Sequence, residues 1–128
     1  IFLFLSFMVS GCSQTKKYIE IFYFHRTIRC NTCQAIEKTT TELLQSDYKK
    51  EVESNTIIFR SINCESTNAE DSVIVAQYEA DGPKLLVVHH DGKKYTNYDL
   101  SDVALTYALN HPTKLRAELK KKIDLFFR

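Results

Sequence analysis

The hydrophobic pattern changes period several times along the chain. In YIEIFYF, residues 18–24, apolar and aromatic side chains run almost without a break, which predicts a strand buried on both faces at the centre of a sheet. From Asn31 to about Tyr48 the period lengthens: Ile36, Thr40, Leu43 and Leu44 share one face of a helix, and Glu37, Lys38, Glu42 and Gln45 look outward. TIIFRSI, residues 56–62, predicts a second strand. A Ser/Thr/Asn start signal then opens a second helix in STNAEDSVIVAQYEA, with Ala69, Val73, Ala76 and Tyr78 as its apolar positions. PKLLVVHH, opened by Pro83, is a third strand, joined through the turn dipeptide Asp91-Gly92 to an antiparallel fourth strand in KKYTNY. A helix runs from Ser101 to about Leu109, Pro112 interrupts it, and Thr113 starts another that continues to the end.

The order β-α-β-α-β-β-α, followed by this last helix, predicts an α/β fold. A parallel strand–helix–strand crossover, right-handed by rule, is extended by a hairpin that adds an antiparallel edge. The expected architecture is a central mixed sheet of about four strands flanked by helices. A chain of 128 residues suits one domain, and no repeat, low-complexity run or linker interrupts residues 18–128. Seventeen Lys and Arg against sixteen Asp and Glu leave a net charge of +1, which gives no electrostatic case for nucleic acid.

The first residues, IFLFLSFMVSGC, form an uncharged apolar run ending in small residues before Cys12, the pattern of a signal peptide closing on a lipobox-like VSGC. A membrane span needs roughly 20 apolar residues, and this run has about half of that. Residues 1–12 are therefore expected to be a lipoprotein signal peptide truncated at its start, since Ile1 is preceded by no Met and no basic segment. Cys12 is the expected lipidation site, residues 13–17 a short linker and 18–128 the folded domain. The implied location is the bacterial cell envelope, lipid-anchored and facing the periplasm; Ser13 in place of Asp favours the outer membrane over the inner. With Cys12 lipidated, three thiols remain.

Two of them stand in IRCNTCQAIE, at the turn between the first strand and the first helix. A Cys-x-x-Cys placed there within a βαβ pattern reads as a redox dithiol. The helix N-terminus presents unpaired N–H groups and the positive end of the macrodipole, so Cys30 can ionise more easily than a free thiol. Cys30 is the expected nucleophile and Cys33 the resolving thiol. His25, Arg26 and Arg29 add positive charge in the same loop, and Asn31 and Thr32 can donate hydrogen bonds toward sulfur. Two other uses stay open: a structural disulfide clip, and a zinc site with Cys64 and a histidine, although one Cys-x-x-Cys without a second pair is a weak zinc signal. Cys64, just after the second strand, is a candidate third thiol for exchange or for capture of a soft metal or metalloid. His89 and His90 read as structural residues, one inward and one outward. The basic amphipathic C-terminal helix, with Leu115, Leu119, Ile123 and Phe126 on one face, is expected to dock on its own sheet, with an anionic membrane as the rival surface.

These residues resemble the thioredoxin-like superfamily over about residues 18–111, through CNTC at a strand–helix turn, the element order, and a proline opening the third strand. The resemblance implies a cis Pro83 facing the dithiol and a Gly82 backbone that pairs with substrate. More narrowly, YFHRTIRCNTCQAIE is similar to a family of small bacterial thioredoxin-like proteins, the ArsF-type "nitrophenyl compound nitroreductase subunit". No flavin- or nicotinamide-binding pattern accompanies it, and neither a cofactor nor a resident metal is expected. The chain departs from ordinary thioredoxins in lacking Trp beside the motif and Gly-Pro within it, and its HRTI loop is longer than usual. IFYF also stands where thioredoxins carry a buried acid. The expected function is extracytoplasmic thiol–disulfide exchange with protein thiols or disulfides, with a membrane-embedded redox donor or transporter as an implied partner. A non-catalytic accessory subunit is the alternative.

Overall fold

The computed structural model describes residues 16–128. Cys12, the lipobox-like run and residues 13–15 of the expected linker lie outside them, and Lys17, expected in that linker, already belongs to the first strand. The elements are β1 (Lys17–His25), α1 (Asn31–Asp47), α2 (Lys49–Glu53), β2 (Ile57–Asn63), α3 (Ala69–Gln77), β3 (Lys84–Asp91), β4 (Lys94–Asp99), α4 (Ser101–Tyr107) and α5 (Pro112–Phe126). The four strands form one sheet in the order β2-β1-β3-β4. β1 and β2 are parallel, and β3 runs antiparallel to both β1 and β4. This is a single α/β domain with a mixed four-stranded sheet between helices, consistent with a thioredoxin-like fold. The continuous apolarity of β1 is explained by its place between two neighbours and two helical layers.

Alternation along β1 divides the core in two. Ile19, Ile21 and Tyr23 face a large cluster with Ile36, Leu43 and Leu44 of α1, Ala104 of α4, and Leu115, Leu119 and Ile123 of α5. Phe22 and Phe24 face the opposite way, into a smaller cluster with Ile62, Leu86 and Val88 that is covered by Ile74, Val75 and Tyr78. The apolar stripe of α5 is thus buried against its own fold. Two of its basic side chains form surface pairs, Arg116 and Lys120 with Asp47 and Lys120 also with Asp124. Among the described residues no helix is long and apolar enough to cross a membrane.

The face of α3 departs from expectation. Ala69, Val73 and Ala76 are exposed, Val73 to 67%, and the packed side is built from Ile74, Val75 and Tyr78. A nine-residue helix with apolar residues scattered round it offers two competing stripes, and the aromatic contact of Tyr78 with Phe22 selects one of them. The short α2 was not expected; it extends the first helical layer after a break at Tyr48, whose hydroxyl donates to Asp124. Pro112 does more than interrupt: it occupies the first turn of α5, where a missing N–H costs nothing. His89 and His90 divide as expected. His89 is buried and its Nε2 lies 2.8 Å from the Lys122 carbonyl, to which it donates. His90 stacks on Tyr18 on the other face; its Nε2 is 2.8 Å from a Glu20 oxygen but out of line for a hydrogen bond.

Candidate functional site

β1 ends at His25, and the chain crosses the sheet edge through Arg26–Arg29 before α1 begins. Cys30 is the N-cap of that helix: its backbone is extended, and its sulfur accepts from the Cys33 N–H at 3.4 Å. No acidic residue stands in the first turn to oppose a negative charge there. The two free thiols face each other with sulfurs 3.1 Å apart; Cys30 is exposed and Cys33 buried. Their acidities are pulled apart. The Cys33 thiol and the helix-start N–H groups of Cys33 and Thr32 hold the Cys30 thiol below its ordinary value, while burial, followed by the Cys30 contact, pushes Cys33 up. Such splitting yields an accessible nucleophile and a sheltered second thiol.

The loop before the thiols is anchored residue by residue. Both the Nε and an Nη of Arg26 donate to the Asp81 carbonyl, at 3.1 and 2.7 Å. Thr27 donates its N–H to Glu65 and accepts from the Asn63 amide, which ties the loop to the exit of β2. Arg29 pairs with Glu37 and donates to His25 Nε2 at 2.9 Å, while His25 Nδ1 lies 2.9 Å from the Arg26 carbonyl. This pattern sets His25 as the tautomer with its proton on Nδ1. Ile28 alone is left pointing out, 91% exposed, two residues before Cys30.

His25, Arg26 and Arg29 therefore build the loop, and the leading influences that lower the Cys30 pKa are the Cys33 thiol and the helix-start N–H groups. Arg26 is engaged by a carbonyl and Arg29 by a carboxylate. Glu37, expected to look outward, instead lies two helical turns from Cys30 and closes the pair with Arg29. Asn31 and Thr32 occupy the first turn of α1, where the Thr32 backbone N–H helps to stabilise the Cys30 thiolate.

The loop leading into β3 approaches the same end of the sheet. Asp81 is held by Arg26, and the Gly82 carbonyl accepts from the Cys64 thiol at 3.6 Å. No cis peptide bond occurs among the described residues, so Gly82–Pro83 is trans, where the resemblance implied cis. The trans form is the lower-energy one for an X-Pro bond, and Asp-Gly-Pro supplies turn chemistry that accommodates it. Cys64 sits beside the end of β1, its N–H donating to the His25 carbonyl at 2.7 Å, and burial raises its pKa. Its sulfur is committed to Gly82 rather than to the dithiol. Among the described residues no three His, Cys, Asp or Glu side chains gather as a metal ion would require.

In the sequence pattern Tyr23 is only one residue of an apolar strand. It is fully buried, and its hydroxyl donates to the Cys33 carbonyl at 2.7 Å. The inward parity of Ile19, Ile21 and Tyr23 was the signal that could have found it, because it directs residue 23 at the start of α1. On the far side of α1, a cleft of about 450 Å³ lies between Asn31, Gln34, Ala35 and Lys38 and the turn carrying Leu109 and Pro112.

No protein-family model matches the chain, and no curated protein matches its sequence. A solved structure described as "Structure of a malarial protein" is similar over 70% of this chain and 93% of that one, at 12% identity and a TM-score of 0.43.

Proposed function

We propose that this protein exchanges thiols and disulfides with a partner protein, Cys30 forming the mixed disulfide and Cys33 resolving it. The observation that carries this reading is the helix-capping pair itself, with an exposed, acidified Cys30 sulfur 3.1 Å from a buried Cys33 sulfur. In the reducing direction the Cys30 thiolate attacks a partner disulfide, one partner sulfur leaves as a thiolate, and a Cys30–partner disulfide forms. Cys33 then loses its proton and attacks Cys30 sulfur. The second partner thiolate leaves, and the two partner thiolates take up the two protons given up by this chain. The oxidising direction is the same path reversed.

A polypeptide partner suits the surroundings. Exposed Ile28 precedes the nucleophile, and a cleft with Ala35, Leu109 and Pro112 in its lining begins at Asn31. Lipid anchoring through Cys12 would place the exchange outside the cytoplasm, facing the periplasm from the outer membrane. A membrane-embedded redox donor or transporter would then be the natural regenerating partner. Membership of the thioredoxin-like superfamily, with a likeness to the ArsF-type family, is part of the same proposal.

Two measurements test it. Cys30→Ser abolishes exchange with a disulfide-bonded peptide while leaving the fold intact; retained exchange overturns the assignment. The reduction potential of the pair, from equilibration with glutathione, falls between about −120 and −270 mV for an exchanging dithiol, whereas resistance to reduction below roughly −300 mV marks a structural clip.

A further inference from the structure

We infer that Tyr23 is the positioning residue for the second half of the exchange: its buried hydroxyl swings from the Cys33 carbonyl to the Cys33 sulfur and holds the attacking thiolate. This rests on the exchange reading above and adds the group that the resolving step lacks.

The difficulty of that step follows from the geometry. Once Cys30 is bonded to a partner, it can no longer hydrogen-bond as a thiolate, and Cys33 must carry a negative charge in the core of the domain. Burial opposes this, and an unpaired thiolate there would be costly. Cys33 is faced by Cys30 at the helix cap and by Tyr23 of β1, and the charged and titratable groups around Tyr23 are in turn Glu37 on α1, Arg29 in the loop and His25 on β1. Arg29 is held by Glu37 and His25. Beside Cys30, Tyr23 is the side chain that hydrogen-bonds Cys33 itself: its hydroxyl is 2.7 Å from the Cys33 carbonyl oxygen, and its influence on Cys33 favours the thiolate.

The hydroxyl turns about a single C–O bond, and a helical carbonyl in the first turn of α1 keeps its own intrahelical partner when the hydroxyl leaves. Burial holds the phenol well above its ordinary pKa, so it stays protonated and acts as a donor, not as a base. The Cys33 proton goes to water and ends on the departing partner thiol. The bond broken is between Cys30 and the partner sulfur, and the bond formed is Cys30–Cys33. The dithiol is oxidised and the partner disulfide is reduced.

The test uses the reduced full chain with Cys12 and Cys64 changed to Ser, and dithiobis(nitrobenzoate) as the probe. Cys30 releases the first thionitrobenzoate, and Cys33 releases the second as it resolves the mixed disulfide. Tyr23→Phe leaves the first phase unchanged. It slows the second at neutral pH by about threefold to tenfold and moves its pH midpoint up by about one unit, since lost thiolate is partly offset by higher nucleophilicity. An unmoved midpoint, or equal slowing of both phases, overturns the inference while leaving exchange intact. Absence of a second phase in the parent overturns the exchange reading and this inference together. Should Tyr23→Phe fail to fold, Tyr23→fluorotyrosine keeps the hydroxyl and makes it a stronger donor. The midpoint then moves down, and an unmoved midpoint again refutes the role.

Discussion

Cys30 and Cys33 share one helical turn and yet have opposite acidities, because one sulfur caps the helix in solvent and the other is packed beneath it. The largest influence on Cys30 is the hydrogen bond from the Cys33 thiol, ahead of the backbone N–H groups. Cys33→Ala should therefore move the pH midpoint of Cys30 alkylation upward. The thiolate fraction at neutral pH falls as a result, and so does the alkylation rate. A pH series with a small haloacetamide measures this; an unmoved midpoint would assign the acidity to the helix terminus alone. The sign follows from the direction of the shift, since a depressed pKa keeps the thiolate populated at pH values where an ordinary thiol is protonated. Much of this residue chemistry could be read beforehand, because a Cys-x-x-Cys at a helix start carries its own electrostatics. The engagement of Arg29 by Glu37 could not, because two residues eight apart meet only when the loop folds back on α1.

Among the elements, β1 and α1 were legible because their patterns are strong and their ends are marked by polar residues. α3 was not. Its nine residues span only two and a half turns, and a misassigned stripe of that length is corrected only by what the sheet offers it, here Phe22 and Phe24. α5 shows the converse: Leu115, Leu119 and Ile123 repeat at four-residue spacing, and all three are fully buried. These two helices should respond differently to truncation. Leu119→Ala is expected to cost about 2–5 kcal/mol by removing packed core volume. Val73→Ser on the exposed side of α3 should stay within about 0.5 kcal/mol of the parent. Urea unfolding of both variants decides it, and a costly Val73 substitution would return the packed face of α3 to the one expected from sequence.

For the whole molecule, the sheet order makes β1 and β3 central and leaves β2 and β4 as edges. Side chains on β4 are mostly exposed, whereas Leu85–Val88 of β3 and Ile19, Ile21, Tyr23 and Phe24 of β1 are at or near zero exposure. Native-state hydrogen exchange should accordingly be slowest in β1 and β3, with β4 and α3 opening first. Equal protection of β4 would show that the molecule opens only globally. The same arrangement brings three segments to one end of the sheet: the loop after β1, the exit of β2 and the approach to β3. Arg26, Thr27 and Cys64 bind them together there.

The amino-acid sequence by itself determined the strands, the main helices and a dithiol at the start of α1. Hydrophobic period, turn dipeptides and helix-start signals act over a few neighbouring residues and need no tertiary partner. The tertiary structure alone decided which face of α3 is buried, that the loop arginines grip Asp81 and Glu37, that Gly82–Pro83 is trans, and that the Tyr23 hydroxyl meets Cys33. Each of these depends on which distant side chain arrives within about 3 Å, the reach of a hydrogen bond, and strand register and packing set that distance where local periodicity does not.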